Sequence, residues 1–181
     1  MTTAARTHTI GPDNGTLLLR TSRTGLGSRA GHDLTIEVTA WSGTVTVGED
    51  PADSSLDVTV EMDSLQVVKG TGGIKPLSER DKREILATAA KVLGVANSPQ
   101  ARFVSSSVTP QVAGVTVDGT LNLCGTEQPL QLEVTAEGDD RFRAVCTVVQ
   151  TQHGIKPYSG FFGALKLSDH VTVEASVDLA K

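Results

Sequence analysis

Four histidines are the side chains best suited to acid–base or metal chemistry in this sequence. They are His8, His32, His153 and His170. No two of them have the short spacing, such as HxxxH, that places two ligands on one face of a helix, so the sequence predicts no metal site. Ser28, His32 and Asp33 lie close together in the chain, but on a strand Asp33 would point away from His32. We therefore expect no catalytic residue.

Two further motifs are of the kind that holds a cofactor or a metal. Residues 25–31, GLGSRAG, superficially match a dinucleotide-binding loop, but the third glycine comes one position late and a strand is predicted where a helix is required. The two cysteines, Cys124 and Cys146, form no paired metal or redox motif. We expect both thiols to be free and mostly buried, and we expect no cofactor.

Alternation of apolar and polar residues predicts the elements that must position these side chains. The pattern is clearest at residues 56–62, LDVTVEM, and it returns at 130–136 and 171–179. A change of phase near Trp41-Ser42-Gly43 predicts a bulge in one long strand. We predict eight strands, at about 16–24, 33–47, 55–66, 101–109, 112–123, 129–138, 141–151 and 170–180.

One α-helix, at about residues 78–93, is predicted between the third and fourth strands. Ser78 followed by Asp81 is typical of a capping box, and Gly94 is typical of a helix end. Short turns between the strands favour hairpin connections, and eight antiparallel strands joined in this way favour a single up-and-down barrel. The predicted fold class is all-β, with one inserted helix.

One phrase occurs twice in the chain. Residues 72–78 read GGIKPLS and residues 153–159 read HGIKPYS, so five of seven positions agree. In an up-and-down barrel both copies lie at the same end, together with the loop at 24–32. Either the phrase is simply a good loop sequence, or it forms part of a binding rim. The basic and polar residues predicted at this mouth are Arg29, His32, Lys75, His153, Lys156 and Tyr158.

Composition and charge exclude several classes of function. With 181 residues and a net charge of −5, the chain fits one domain, 1–181, that has no nucleic-acid partner. We expect residues 1–15 to be loosely ordered. No stretch approaches the ~18 apolar residues of a membrane span, and no secretory signal is present, which indicates a cytoplasmic location. The sequence leaves a monomer and a homodimer open.

The order of several short motifs resembles the YceI-like, or polyisoprenoid-binding, family. The motifs are Gly31-His32-Asp33-Leu34, Trp41-Ser42-Gly43, Met62-Asp63-Ser64-Leu65, the segment 99–106, the segment 117–126 and His153-Gly154-Ile155. The resemblance covers nearly the whole chain from about residue 16. It implies a lipocalin-like eight-stranded barrel, without catalytic residues, whose apolar cavity holds a long isoprenoid or another fatty chain.

The alternation also predicts which side chains face the barrel interior. They are Val58, Val60, Leu121, Leu132, Val134, Phe142, Val148, Val173 and Val177. These residues either line a cavity or fill a solid core. Because only 3% of the chain is aromatic, a flexible hydrocarbon suits this interior better than a stacked planar ligand. We expect a non-catalytic carrier of an isoprenoid or similar lipid; the alternative is a small hydrolase or isomerase that uses histidines at the mouth.

Overall fold

The strands follow the apolar–polar alternation of the sequence. The computed structural model describes residues 5–181, without the side chain of Phe161. It contains one α-helix, α1 (Glu79–Val92). The strands are β1 (Arg6–Ile10), β2 (Gly15–Thr21), β3 (Arg23–Thr24), β4 (His32–Val38), β5 (Trp41–Val47), β6 (Ser55–Glu61), β7 (Leu65–Gly72), β8 (Gln100–Gln111), β9 (Gly114–Leu123), β10 (Thr126–Ala136), β11 (Arg141–Val149), β12 (Ser159–Gly160), β13 (Leu165–Leu167) and β14 (His170–Asp178).

Eleven strands form one curled antiparallel sheet. Their order is β1-β5-β6-β8-β9-β10-β11-β14-β2-β4-β7, and β12, β13 and β3 form a small second sheet. From β8 to β11, neighbours in the sheet are also neighbours in sequence, as in a meander. The all-β class with one helix and a barrel-like sheet is therefore confirmed.

The count of eight strands is not confirmed, because three long segments bend and each contributes two strands to the sheet. The bends separate β1 from β2, β4 from β5, and β6 from β7. Two of them are hydrogen-bonded together: Thr39 N donates to Ser64 O at 3.0 Å, and Glu61 N donates to Ala40 O at 3.0 Å. Val38 and Trp41 are both buried although three positions separate them, so the phase change predicted near Trp41 lies at this bend.

The N-terminal segment also differs from the prediction. Residues 6–10 were expected to be loose, but they form β1, which pairs with β5. The Asn14 side chain accepts from Gly11 N and donates to Thr9 O, both at 3.0 Å, and so stabilises the turn that follows β1. Residues 1–4 lie outside the described residues. The two short strands β12 and β13 were not predicted, since they have too few residues for alternation to show.

Helix α1 begins and ends where its capping residues predict. The Ser78 hydroxyl accepts from Asp81 N at 3.2 Å, and the Asp81 carboxylate accepts from Ser78 N at 2.8 Å. Ile85 and Leu86 pack against the cluster of Leu34, Ile36 and Val67, which belongs to β4 and β7. Within residues 5–181, no helix is long and apolar enough to cross a membrane.

The chain connections lie at two ends of the sheet. The mouth end contains residues 25–31, 73–99, 124–125 and 150–169, including α1. The acidic end contains residues 11–14, 48–54, 112–113 and 137–140. Both copies of the repeated phrase lie at the mouth end. This arrangement positions the cavity described next.

Candidate functional site

A cavity of about 700 Å³ lies inside the curled sheet. Its wall is built from alternate residues of the large sheet and from one face of α1, including Ile85, Ala89 and Val92. At the acidic end it reaches Trp41 and Val177; the side chains of these two residues both lie beside Gly15. At the other end it is bounded by residues of the mouth loops. The cavity is therefore elongated along the strands.

Eight of the nine side chains predicted to face the interior line this cavity. They are Val58, Val60, Leu121, Leu132, Phe142, Val148, Val173 and Val177. The ninth, Val134, does not line it and instead packs against the cluster of Phe103, Val108 and Val117. Side chains thus fill the interior of the sheet at this cluster, and the cavity occupies another part of the interior. The solid core and the lined cavity that the sequence left open are therefore both present.

The residues predicted at the mouth divide into two groups. His32, Lys75 and Tyr158 line the cavity, whereas Arg29, His153 and Lys156 do not. His32 Nε2 lies 2.8 Å from Lys75 O, a contact that joins β4 to the loop before α1. His153 is 5% exposed, and its Nδ1 lies 3.1 Å from Thr126 O. Its ring connects the segment after β11 to the start of β10 beneath the surface, so its expected place at the rim is wrong.

This arrangement does not favour the alternative of mouth-histidine catalysis. Only His32 of the two histidines reaches the cavity, and each ring contacts a different backbone carbonyl group. Among residues 5–181, no group of three His, Cys, Asp or Glu side chains is placed to hold a metal ion. The cavity wall supplies packing surface and a few polar groups at one end.

The cavity wall also contains polar residues that the sequence did not predict there. They are Thr21, Arg23, Asp81, Glu84, Thr88 and Gln150. Arg23 Nε lies 3.7 Å from an oxygen of Asp33, and the guanidinium also donates to Gly31 O. Thr21 and Arg23 continue the parity of Leu17 and Leu19, which also line the cavity. Both residues lie within the strand predicted at 16–24. The same alternation therefore places them on the inner face, although neither side chain is apolar.

Two buried donors of the cavity wall have no hydrogen-bond partner among the residues that the structure describes. They are Thr21 Oγ1 and Trp41 Nε1. Leaving such a group unpaired costs about 1–3 kcal/mol. Thr21 pairs with Leu34 toward the mouth end, whereas Trp41 lies by Gly15 at the acidic end. Six residues of extended strand separate these two levels, which is about 20 Å. A bound molecule with an oxygen at either level would satisfy a donor.

The cysteines are packing groups here. Both are free thiols. Cys146 lines the cavity as its parity predicts, and burial raises the pKa of its thiol to about 11. It is therefore protonated at neutral pH and acts as a small apolar side chain. Cys124 Sγ lies 3.0 Å from Leu93 O, where its thiol donates to the end of α1, and burial raises its pKa too.

An elongated apolar cavity within a curled antiparallel sheet defines a binding-protein fold of the lipocalin-like kind. Comparison with protein families agrees with that class. The YceI-like domain matches residues 17–179, and the chain belongs to this family. No curated protein matches the chain.

Solved structures with the same fold include the crystal structure of BcnA from Burkholderia cenocepacia. It is 16% identical in sequence, with a TM-score of 0.63, and the match covers 90% of this chain and 94% of that chain. A YCEI protein from Campylobacter jejuni is 15% identical with a TM-score of 0.45, and 66% of this chain and 70% of that chain are covered. At 16% identity the likeness to BcnA concerns the fold.

Proposed function

We propose that the protein binds and carries, or sequesters, an isoprenoid or another long-chain amphipathic lipid without transforming it chemically. The observation that carries this proposal is the cavity of about 700 Å³ with its mainly apolar wall. Its size falls within the range of about 300–1,000 Å³ that is typical of small-molecule sites. The membership of the YceI-like family supports a hydrophobic ligand.

The free energy of binding would come mainly from the tail of the ligand. Each methylene group moved from water into the cavity contributes about 0.8 kcal/mol, so a chain of many carbons binds tightly without directional contacts. An aliphatic wall gives shape and length selection but little chemical discrimination. Discrimination is left to the polar groups at the two ends.

The basic and hydroxyl groups of the mouth end favour an anionic or oxygen-rich head group there. The two carboxylates of the cavity wall, Asp81 and Glu84, already have partners within α1 and its cap. Arg23, His32, Lys75 and Tyr158 all line this end of the cavity. Arg23 is held by Asp33 and by Gly31 O, so its guanidinium is preorganised rather than free to swing. Thr21 Oγ1 adds a donor just below this level. The tail would then extend toward Trp41.

The proposal keeps the cytoplasmic location expected from the sequence. Two unpaired thiols, one of them inside the cavity, are typical of a reducing compartment. The physical argument for ligand binding does not depend on this location.

Filling the cavity tests the proposal directly. Ala144 lines the cavity on β11, and Thr147 on the same strand is exposed. Ala144→Phe should abolish binding of a dansyl-labelled long-chain fatty acid, measured by fluorescence, because the ring occupies the space of the tail. Thr147→Phe is the matched control and should bind normally.

A second variant keeps the test decisive if Ala144→Phe fails to fold. Ala175 on β14 pairs with Ala144 and also lines the cavity. Ala175→Leu therefore narrows the same section of the cavity, with a side chain smaller than that of phenylalanine. Native mass spectrometry of protein purified from its own host should also show an apolar molecule that co-purifies. Equal probe affinity in the wild type and in folded cavity-filled variants would overturn the proposal.

A further inference from the structure

Three large apolar side chains are fully or almost fully exposed at the mouth end. Leu26 is 102% exposed, Ile74 is 84% exposed and Phe162 is 112% exposed. Each is at the tip of a different loop. Scattered surface leucines need no explanation, but three such side chains at one end of a protein indicate an interaction site.

The three loops that carry these side chains all border the cavity. Gly27 N donates to Ala164 O at 2.8 Å, which joins the loop of Leu26 to the loop of Phe162. The loop of Ile74 is joined to the neighbouring strand β4 by the contact between His32 Nε2 and Lys75 O at 2.8 Å. These segments also contribute Gly31, Lys75, Tyr158 and Leu165 to the cavity wall. The exposed tips therefore belong to loops that line the cavity mouth.

Phe162 is held outward by a strained backbone. Its φ of 54° lies in the left-handed region, which bulky residues rarely adopt. Both the conformation and the exposed ring are unfavourable in water. Backbone strain of this kind is typical of residues that have a functional role, such as ligand binding, rather than a role in stabilising the fold.

The loop segments that carry these tips contain charged residues of one sign only. Residues 22–32, 69–78 and 150–168 contain no Asp or Glu, although the whole chain has a net charge of −5. They contain six basic residues, Arg23, Arg29, Lys69, Lys75, Lys156 and Lys166. The nearest carboxylates have partners: Asp33 pairs with Arg23, Asp81 caps α1 and Asp169 accepts from Thr151. On the first two turns of α1, Glu79 pairs with Lys82 and Glu84 with Arg80.

We propose that this face docks onto the surface of an anionic lipid bilayer with the cavity mouth toward the membrane. The docking face consists of Leu26, Ile74 and Phe162 with Arg29, Lys75, Lys156 and Lys166. The three tips insert at the level of the head groups, and the cations meet lipid phosphates. Separate apolar loop tips with cations nearby suit a fluid lipid interface. A rigid protein partner would instead require a flat, continuous patch.

Vesicle co-sedimentation tests this docking without any bound ligand. Vesicles of phosphatidylcholine alone are compared with vesicles that also contain phosphatidylglycerol, at low and at physiological salt. The wild type should bind the anionic vesicles, with binding that falls as salt rises. The triple variant L26S/I74S/F162S should bind at least about tenfold more weakly, because three buried apolar contacts are lost.

Val112 provides the matched control. It is 109% exposed, like the three tips, but it lies in the turn between β8 and β9 at the acidic end. Val112→Ser should leave vesicle binding unchanged. A second variant, R29Q/K75Q/K156Q/K166Q, should lose the preference for anionic vesicles while it keeps its three apolar tips.

The possible outcomes separate this proposal from its rivals and from the proposed function. Unchanged vesicle binding by L26S/I74S/F162S, or equal wild-type binding to neutral and anionic vesicles, would overturn docking. Self-association of the wild type in analytical ultracentrifugation that the triple variant abolishes would assign the face to a second copy instead. Binding of the dansyl fatty acid from vesicle-free solution should stay normal in the triple variant, because its cavity wall is unaltered.

Discussion

The two copies of the Gly-Ile-Lys-Pro phrase lie at the same end of the molecule but have opposite burial. In the second copy Ile155 is 4% exposed and packs against Met62, Ala101 and Leu123. In the first copy Ile74 projects into solvent, and Leu77, three positions later, packs toward Leu34 and Ile36 instead. The residue that corresponds to Leu77 in the second copy is Tyr158, which is exposed. The two loops are therefore not equivalent, because Ile155 lines the cavity and Ile74 does not.

Flanking residues cause this difference. Gly72 and Gly73 have φ values of 79° and 73°, so the chain turns outward before Ile74 and returns at Leu77 to start α1. Before the second copy, a short 3-10 helix ends at His153, and Ile155 N donates to Gln150 O at 3.1 Å, which holds Ile155 inward. Identical short sequences thus take their burial from the elements that precede and follow them.

The largest expected effect compares the two isoleucines. Ile155→Ala should lower the free energy of unfolding by about 2–5 kcal/mol, because it leaves a cavity in a packed cluster. Ile74→Ala should change it by less than about 0.5 kcal/mol, since the side chain has no contacts to lose. Urea denaturation of both variants gives the two values. Similar losses would show that the loops have the same burial in solution.

The two serines that end the copies should differ by an intermediate amount. Ser78 caps α1, whereas Ser159 lies in β12. Ser78→Ala should cost about 1 kcal/mol of stability, the usual value for loss of a helix cap, and Ser159→Ala should cost much less. Thermal unfolding monitored by circular dichroism measures both. A cost as large for Ser159 would contradict the assignment of the cap to the first copy alone.

The same cap predicts a pH dependence. Hydrogen bonds from Ser78 lower the pKa of Asp81 in the folded state below its usual value of about 3.9. A lowered folded-state pKa means that the contribution is fully present above pH 4 and is lost as the pH falls through the folded-state value. Asp81→Asn should therefore reduce this acid sensitivity. Stability curves against pH for wild type and variant test it.

The smallest effect concerns the two lysines. Lys75 lines the cavity and Lys156 does not. Lys75→Ala should weaken binding of an anionic prenyl ligand by about two- to fivefold at low salt, as expected for an exposed charge pair, and leave a neutral ligand of equal length unaffected. Lys156→Ala should leave both affinities unchanged. Equal losses of affinity in the two variants would show instead that Lys75 and Lys156 contribute equally to binding at the mouth.

The apolar–polar alternation of the sequence predicted well which face of the sheet a side chain occupies. It predicted poorly where along the barrel that side chain lies and what surrounds it. Parity placed Val58, Val173 and Val177 on the inner wall, because successive strand residues point to opposite sides. Parity also placed Val134 on the inner side, but parity carries no information on whether the space above that residue is filled. The cluster of Phe103, Val108 and Val117 fills it. The burial of His153 likewise depends on a contact with Thr126 at the start of β10. No local sequence pattern around His153 predicts that contact.

The acidic end gives the molecule a charge dipole along its cavity axis. The turns opposite the mouth contain Glu49, Asp50 and Asp53 in one segment and Glu137, Asp139 and Asp140 in another. Near a negatively charged surface, a field acting over about one Debye length, roughly 8 Å at physiological salt, repels that end and attracts the other. We expect the protein to be rotated in this way before it makes contact, so that the mouth meets such a surface first and the rate of encounter falls as ionic strength rises.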